Sequence, residues 1–193
     1  MEFLRIFGKD PGHESANRFI LYFFVKLVLL TSVWFVCYNL LLKPNRTIDR
    51  PLTNFITASV TQTINLVSSG APISWEEDLI RNNRAHLIKD QRRVFGIHDV
   101  CNGIDLMFIY VGVIFLLPGS LKRKFVYAGS GILIIILANI IRVCLLYAIY
   151  VHYRTAFDFS HHYLFTILMY VLIFYGWLLF IKSQRGSQHA PIV

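Results

Sequence analysis

The segment from Phe125 to Val151 is an almost continuous apolar run in which Asn139 is the only amide and Arg142 the only charge. About 20 such residues in a helix cross roughly 30 Å of hydrocarbon, so the run reads as a membrane span. Two further stretches qualify in the same way, Phe19 to Leu42 and Tyr163 to Ile181. A fourth, Ile104 to Leu117, is shorter. It reaches spanning length if it begins near Cys101 and runs to the stop signal Pro118-Gly119. Only 16% of the residues are charged, against about 25% in soluble domains. Apolar blocks with so little charge exclude a soluble globular enzyme, a disordered tail and a disulfide-stapled secreted domain. The fold expected is an all-α polytopic membrane protein. Its single membrane domain has about four transmembrane helices (19–42, 101–118, 125–151 and 162–182) and an outer loop over 43–100.

The formal charge of +8 reads as membrane anchoring and not as nucleic-acid binding. Lys122, Arg123 and Lys124 fill the short loop after Pro118-Gly119 without an acid, and Lys182 and Arg185 follow the last span. Arg5, Lys9 and Arg18 precede the first. These segments are expected on the cytoplasmic side, with 43–100 and 152–162 outside. The eight Lys and Arg of the long loop do not oppose this, because long segments cross largely regardless of charge. The first span is too long, and lacks the small-residue site, for a cleaved signal peptide. Within the outer loop Leu52, Phe55, Ile56, Val60, Ile64 and Val67 recur at helical spacing. They predict an amphipathic outer-face helix, lying on the leaflet or packed over the bundle and ending at Gly70-Ala71-Pro72. Val94 to Ile97 reads as a short strand.

Ionisable side chains at membrane depth are costly unless paired or wetted, which makes them informative. Lys26 is close enough to its helix end to snorkel. Asp105 lies one turn into the second span. Arg142 lies in the third, about 13 Å below the outer end of its helix at 1.5 Å per residue. A structural reading pairs Arg142 with Asp105. Cys37 and Cys144 lie within spans as apolar filler. Cys101 sits where the outer loop becomes the second span, in Asp99-Val100-Cys101-Asn102-Gly103-Ile104-Asp105. A helix N-terminus favours thiolate there, and Gly103 leaves the nearby backbone unobstructed. His161 and His162 open the last span, and His152 ends the third. Thiol, imidazole and guanidinium thus converge on one side of the membrane, as an acyl-transfer site requires. Metal binding by the histidines is the weaker reading, because helix neighbours point about 100° apart. Two alternatives stay open: a non-catalytic scaffold or subunit of an envelope export or polysaccharide system, and a histidine-based acyltransferase.

At Cys101-Asn102-Gly103, at Asn139-Ile140-Ile141-Arg142 and at His161-His162 the sequence resembles the exosortase/archaeosortase family of membrane transpeptidases. The gaps of about 40 and 20 residues between these motifs also fit, and the overall look is that of the short Bacteroidetes-type members (XrtF-like). The resemblance implies a cysteine transpeptidase or peptidase of the bacterial cytoplasmic membrane with its site facing the periplasm. Cys101 would attack the scissile carbonyl, Arg142 would stabilise developing charge, and His162 or His161 would activate the thiol. Spacing to the following residues favours His162. Asn102, Gly103, Asp105 and Asn139 would support the site. The implied substrates are exported proteins carrying a C-terminal motif, a membrane helix and a basic tail. The acceptor could be a membrane lipid or glycan. No cofactor, metal or nucleic acid is called for.

Overall fold

The computed structural model describes residues 13–68, 70–78 and 83–186; the expected inner cations Arg5 and Lys9 lie outside them. Helix α1 (His13–Cys37) runs on into a π-turn (Tyr38–Leu42), and α2 (Asp49–Val67) follows. Strands β1 (Ser74–Glu77), β2 (Arg84–Lys89) and β3 (Arg92–His98) come next, then a 3₁₀ turn (Asp99–Cys101) and α3 (Ile104–Leu116). Helix α4 (Leu121–His152) leads through a 3₁₀ turn to the short α5 (Phe157–Phe159), a second π-turn (Ser160–Leu164) and α6 (Phe165–Gly186). The chain is mostly helical, as its apolar blocks require.

Two cores stack along α4. In the first, α3 is packed by α1, α4 and α6. Tyr110, Ile114, Ile135, Met169, Ile173 and Phe180 fill the space between them. The Tyr110 ring is let in by two glycines: a Cβ at Gly131 would meet it at 1.9 Å and one at Gly176 at 2.8 Å. In the second core, Ile56 and Val60 of α2 and Leu87 and Ile97 of the sheet close over Val143 and Tyr147 of α4.

Among the described residues three segments are long and apolar enough to cross a membrane: Ile20–Leu42, Leu121–His152 and Arg154–Gln184. The fourth, expected over 101–118, is shorter. Helix α3 has 13 residues, about 20 Å of rise, so it does not match the hydrocarbon thickness by itself. Helix α4, with 32 residues, is about 48 Å long. About 30 Å from its Leu121 end, the chain has reached the turn that carries Arg142. Beyond it, apolar side chains of α4 are wrapped by α2 and the sheet. One face of that extra length, with Val143 and Tyr147, is thus taken up by a second protein core, while Leu145 and Val151 stay exposed.

The outer loop is a built layer. Helix α2 packs on all three strands and on α4. Its buried face includes Thr53, Thr57 and Thr61 beside Ile56, Val60 and Ile64, while Phe55 and Val67 point outward. Thr57 and Thr61 donate to the carbonyls four residues back, at 2.7 and 2.8 Å, and so enter an apolar core already satisfied. The strands form an antiparallel meander in the order β1-β2-β3. Val94–Ile97 indeed lies in β3. Its hairpin partner had no turn signal, because Asp90 and Gln91 take φ of 50° and 60° without a glycine.

The Tyr110 contact gives a test. Gly131→Ala should cost about 1–3 kcal/mol by overpacking and lower the unfolding midpoint in detergent. Gly129→Ala, on the same helix with nothing within 4 Å of the new Cβ, should be neutral or mildly stabilising. Equal effects would mean that the ring does not occupy this slot.

Candidate active site

The turn that joins β3 to α3 carries the thiol, and each residue of Cys101-Asn102-Gly103 has a structural reason. Gly103 sits at φ 82°, a left-handed conformation open to glycine, and starts α3. Asn102 is fully buried. Its Oδ1 accepts from the Ile104 N–H at 2.9 Å, and its Nδ2 donates to Asp49 Oδ1 at 2.8 Å. Asn139 of α4, also fully buried, donates to the Cys101 carbonyl at 2.8 Å. The turn is therefore held from both sides.

A buried ionic cluster holds its upstream end. Arg46 grips Asp99 through Nε at 2.7 Å and Nη2 at 2.9 Å, and reaches Glu77 through Nη1 at 2.9 Å. Thr53 donates to Asp99 Oδ1 at 2.8 Å, and Tyr38 donates to Asp49 at 3.0 Å. Burial pushes the Glu77 carboxyl up, but hydrogen bonds from Arg50, Arg46 and Asn54 outweigh it and leave it below the usual range. None of Arg46, Asp49, Thr53, Glu77 or Asp99 stood out from the sequence as a site residue. The only available signal was the concentration of acids and arginines in a loop, which reads equally well as a solvated surface.

The imidazole beside the thiol is that of His161. Its Nε2 lies 3.7 Å from Cys101 Sγ, and its ring stacks on Phe157 at 5.6 Å between centroids. His162, which sequence spacing favoured, also lines the cavity at Cys101 but is exposed, with its ring at 89° to that of His161. The reason is the π-turn over Ser160–Leu164. One extra residue per turn shifts the helical phase by about 100° and exchanges the inward position between neighbours. His152, at the end of α4, is exposed and does not line the cavity at Cys101. Among the described residues no three His, Cys, Asp or Glu side chains are grouped to hold a metal.

The expected Arg142–Asp105 ion pair is not formed. Asp105 accepts instead from Trp34 Nε1 of α1 at 2.9 Å, and Trp34 stacks on Phe108 one turn further along α3. The first turn of α3 thus aims its carboxylate at α1. Arg142 has a buried Nε with no hydrogen-bond partner. Arg142 and Asp105 share a small cavity of about 220 Å³ with Thr166 and Tyr170. On the other side of the Cys101 turn lies a larger, mainly apolar cavity of about 420 Å³. Phe95 of β3, Tyr150 of α4 and Phe157 line it, and Cys101 and His161 close it.

Burial pushes the Cys101 thiol above its ordinary value, while the Arg142 charge and a backbone hydrogen bond from His98 pull it partly back. This corrects the expectation of a thiolate stabilised by a helix N-terminus: the 3₁₀ turn and Gly103 separate Cys101 from the start of α3. A thiol raised in this way calls for a base if it is to attack a carbonyl. Cys37 and Cys144 are free and half-buried.

Removing the anchor should loosen the thiol. Asp99→Asn takes the bidentate carboxylate away from the buried Arg46 and should cost about 3 kcal/mol. The rate at which a thiol reagent modifies Cys101 should rise with it. Unchanged stability and an unchanged modification rate would show that the pair does not hold the turn.

Residues 15–184 match the model of the transmembrane exosortase family (Exosortase_EpsH), whereas no curated protein and no solved structure matches. That match covers both cores and every residue of the site, and the chain belongs to the transmembrane exosortase family.

Proposed function

We propose that this chain is a membrane-embedded cysteine transpeptidase or protease, of the short XrtF-like type, which cleaves the C-terminal sorting signals of exported proteins. The observation that carries the reading is the 3.7 Å approach of Cys101 Sγ to His161 Nε2 at the closed end of a cavity. The site works at the outer face of the bacterial cytoplasmic membrane, and the cation-rich loop Lys122–Lys124 supports that orientation. The scaffold alternative rested on an Arg142–Asp105 pair that is not formed.

His161 Nε2 takes the thiol proton as Cys101 Sγ bonds to the scissile carbonyl carbon. The guanidinium of Arg142, which has an unused Nε donor, stabilises the negative charge that gathers on the carbonyl oxygen. The C–N bond then breaks, and the imidazolium returns its proton to the departing amine of the C-terminal helix segment. An acceptor amine or hydroxyl, from a membrane lipid or a glycan, attacks the thioester. Its proton passes to His161, the C–S bond breaks, and the thiol is restored. Asn102, Gly103 and Asn139 hold the nucleophile, and Asp105 holds the α3–α1 seam beside it.

Processing of a co-expressed protein with a motif, helix and basic tail should disappear with Cys101→Ser. His161→Ala should slow it about 10²–10⁴-fold, as loss of a general base does, while His162→Ala stays near normal. Arg142→Lys should cost about 10²–10³-fold, because an ammonium lacks the planar fork. Full activity of His161→Ala alongside a dead Cys101→Ser would remove the imidazole from the mechanism.

A separate measurement tests orientation. A periplasm-active reporter fused after Ser187 should be silent, and one near Ser69 should be active; both points lie outside the described residues. The reverse pattern would put Cys101 in the cytoplasm and end the sorting reading.

A further inference from the structure

We infer that the polypeptide substrate binds as a fourth strand on the free edge of β3, running parallel to it, with its scissile bond delivered at Cys101. This rests on the cysteine transpeptidase reading and adds the conformation and direction of the substrate.

The sheet order β1-β2-β3 leaves β3 as an edge strand. Its ladder partner is β2, and among the described residues no other backbone pairs with Val94 to Ile97. An edge strand exposes alternate N–H and C=O groups that an extended peptide satisfies. The shape of the large cavity shows which part of β3 it follows. It is lined by five consecutive residues, Val94 through His98. Side chains of a strand alternate between faces, so a cavity lying on one face would be lined by every second residue. Five in succession bring both faces of β3 to the cavity, so it wraps the free edge, and Arg84 and His86 of β2 extend its lining over one face of the sheet. At about 420 Å³ it falls within the usual range of ligand sites. Tyr150, Phe157 and His161 also line it, and the Tyr150 and Phe157 rings meet that of Phe95 edge-on at 5.5 and 6.0 Å.

The direction follows from the chain itself. β3 runs from Arg92 to His98, reaches Cys101 three residues later, and continues into the bundle as α3. A sorting signal has the same polarity: an extended motif outside the bilayer, followed by a helix entering it. Laid beside β3 in the same direction, the residues preceding the scissile bond fill the cavity and the following helix descends beside α3. An antiparallel strand would lead the helix away from the membrane bundle. Parallel pairing uses evenly spaced, slanted hydrogen bonds, and the alternate substrate side chains then point to the aromatic wall around Phe95 and Phe157.

The test needs neither the natural substrate nor turnover. A five-residue Thr/Val peptide ending in a C-terminal cysteine, activated as its pyridyl disulfide, exchanges onto Cys101 of the full chain in detergent and releases thiopyridone. Cys101→Ser serves as the unlabelled control. Hydrogen exchange of the segment containing Val94–Ile97 should slow at least 10-fold in the conjugate. The same peptide N-methylated at alternate amides, or tethered through an N-terminal cysteine, should give no such protection. Protection by the N-terminal tether alone would overturn the parallel direction. Equal exchange in all conjugates, or equal protection by the N-methylated peptide, would overturn edge pairing. Loss of the transpeptidase reading is scored separately, by processing that survives Cys101→Ser.

Discussion

The bidentate contact between Arg46 and Asp99 is the joint on which the site depends. Arg46 lies in the short segment between α1 and α2, at φ 48°. Asp99 opens the turn that carries the thiol. Both side chains are nearly withdrawn from water, with 6% and 13% exposure. Desolvating two charges costs several kcal/mol each, and their attraction offsets this only if the remaining donors and acceptors are also matched. Here they are: Glu77 takes another face of the guanidinium, and Thr53 takes a carboxylate oxygen. The cluster thereby joins the α1–α2 connection, α2, β1 and the nucleophile turn. Asn102 continues it to Asp49, and Asn139 ties the same turn to α4. A peptide bond can press against this turn without displacing it, which a flexible loop cannot offer.

The short α3 is what sets the height of the chemistry. Because it rises only about 20 Å, its start is set against the middle of α4 and not against its end. Gly103 faces Asn139 and Ile135 there. The final turns of α4 therefore stand above the thiol as a wall, and the sheet and α2 complete the enclosure. Such an arrangement places Cys101 beneath the end of α4, α2 and the sheet. A second span of about 20 residues would have set Cys101 about 10 Å higher, near the level of Leu146. The mismatch between a short and a long helix is thus the source of the cavity.

Much of this was legible in the chain because hydrocarbon imposes its own arithmetic. The long apolar blocks, the residues Cys101, Arg142 and the His161-His162 doublet, and the convergence of their helices follow from length and polarity alone. Three things did not follow, each for a physical reason. The inward histidine depends on a π-turn, and no local residue preference announces the extra residue in that turn. The direction of Asp105 depends on Trp34, which is 71 residues away in sequence. The outer sheet was hidden because β1 is Ser-Trp-Glu-Glu and the β2–β3 turn uses Asp90-Gln91, so neither periodicity nor a glycine marks them. The buried threonines of α2 fall outside the apolar stripe that marks this helix in the sequence, since a polar residue normally seeks water. Bonding to their own helix removes that need.

The resting state of the site also says what it lacks. A buried polar atom without a partner costs about 1–3 kcal/mol, and the Arg142 Nε carries that cost. Asn139 Oδ1 is unpartnered as well, although its Nδ2 is engaged with the Cys101 carbonyl. With Asp105 turned to Trp34, the Arg142 Nε is left without an acceptor at rest. In the proposed reaction, attack on a carbonyl would create the missing anion. An interaction absent at rest and present only when charge develops lowers the barrier, whereas one made equally in both states would lower only the binding energy. Asp105 would have cancelled this asymmetry had it paired with Arg142. By holding that carboxylate at α1, Trp34 keeps it from pairing with the guanidinium.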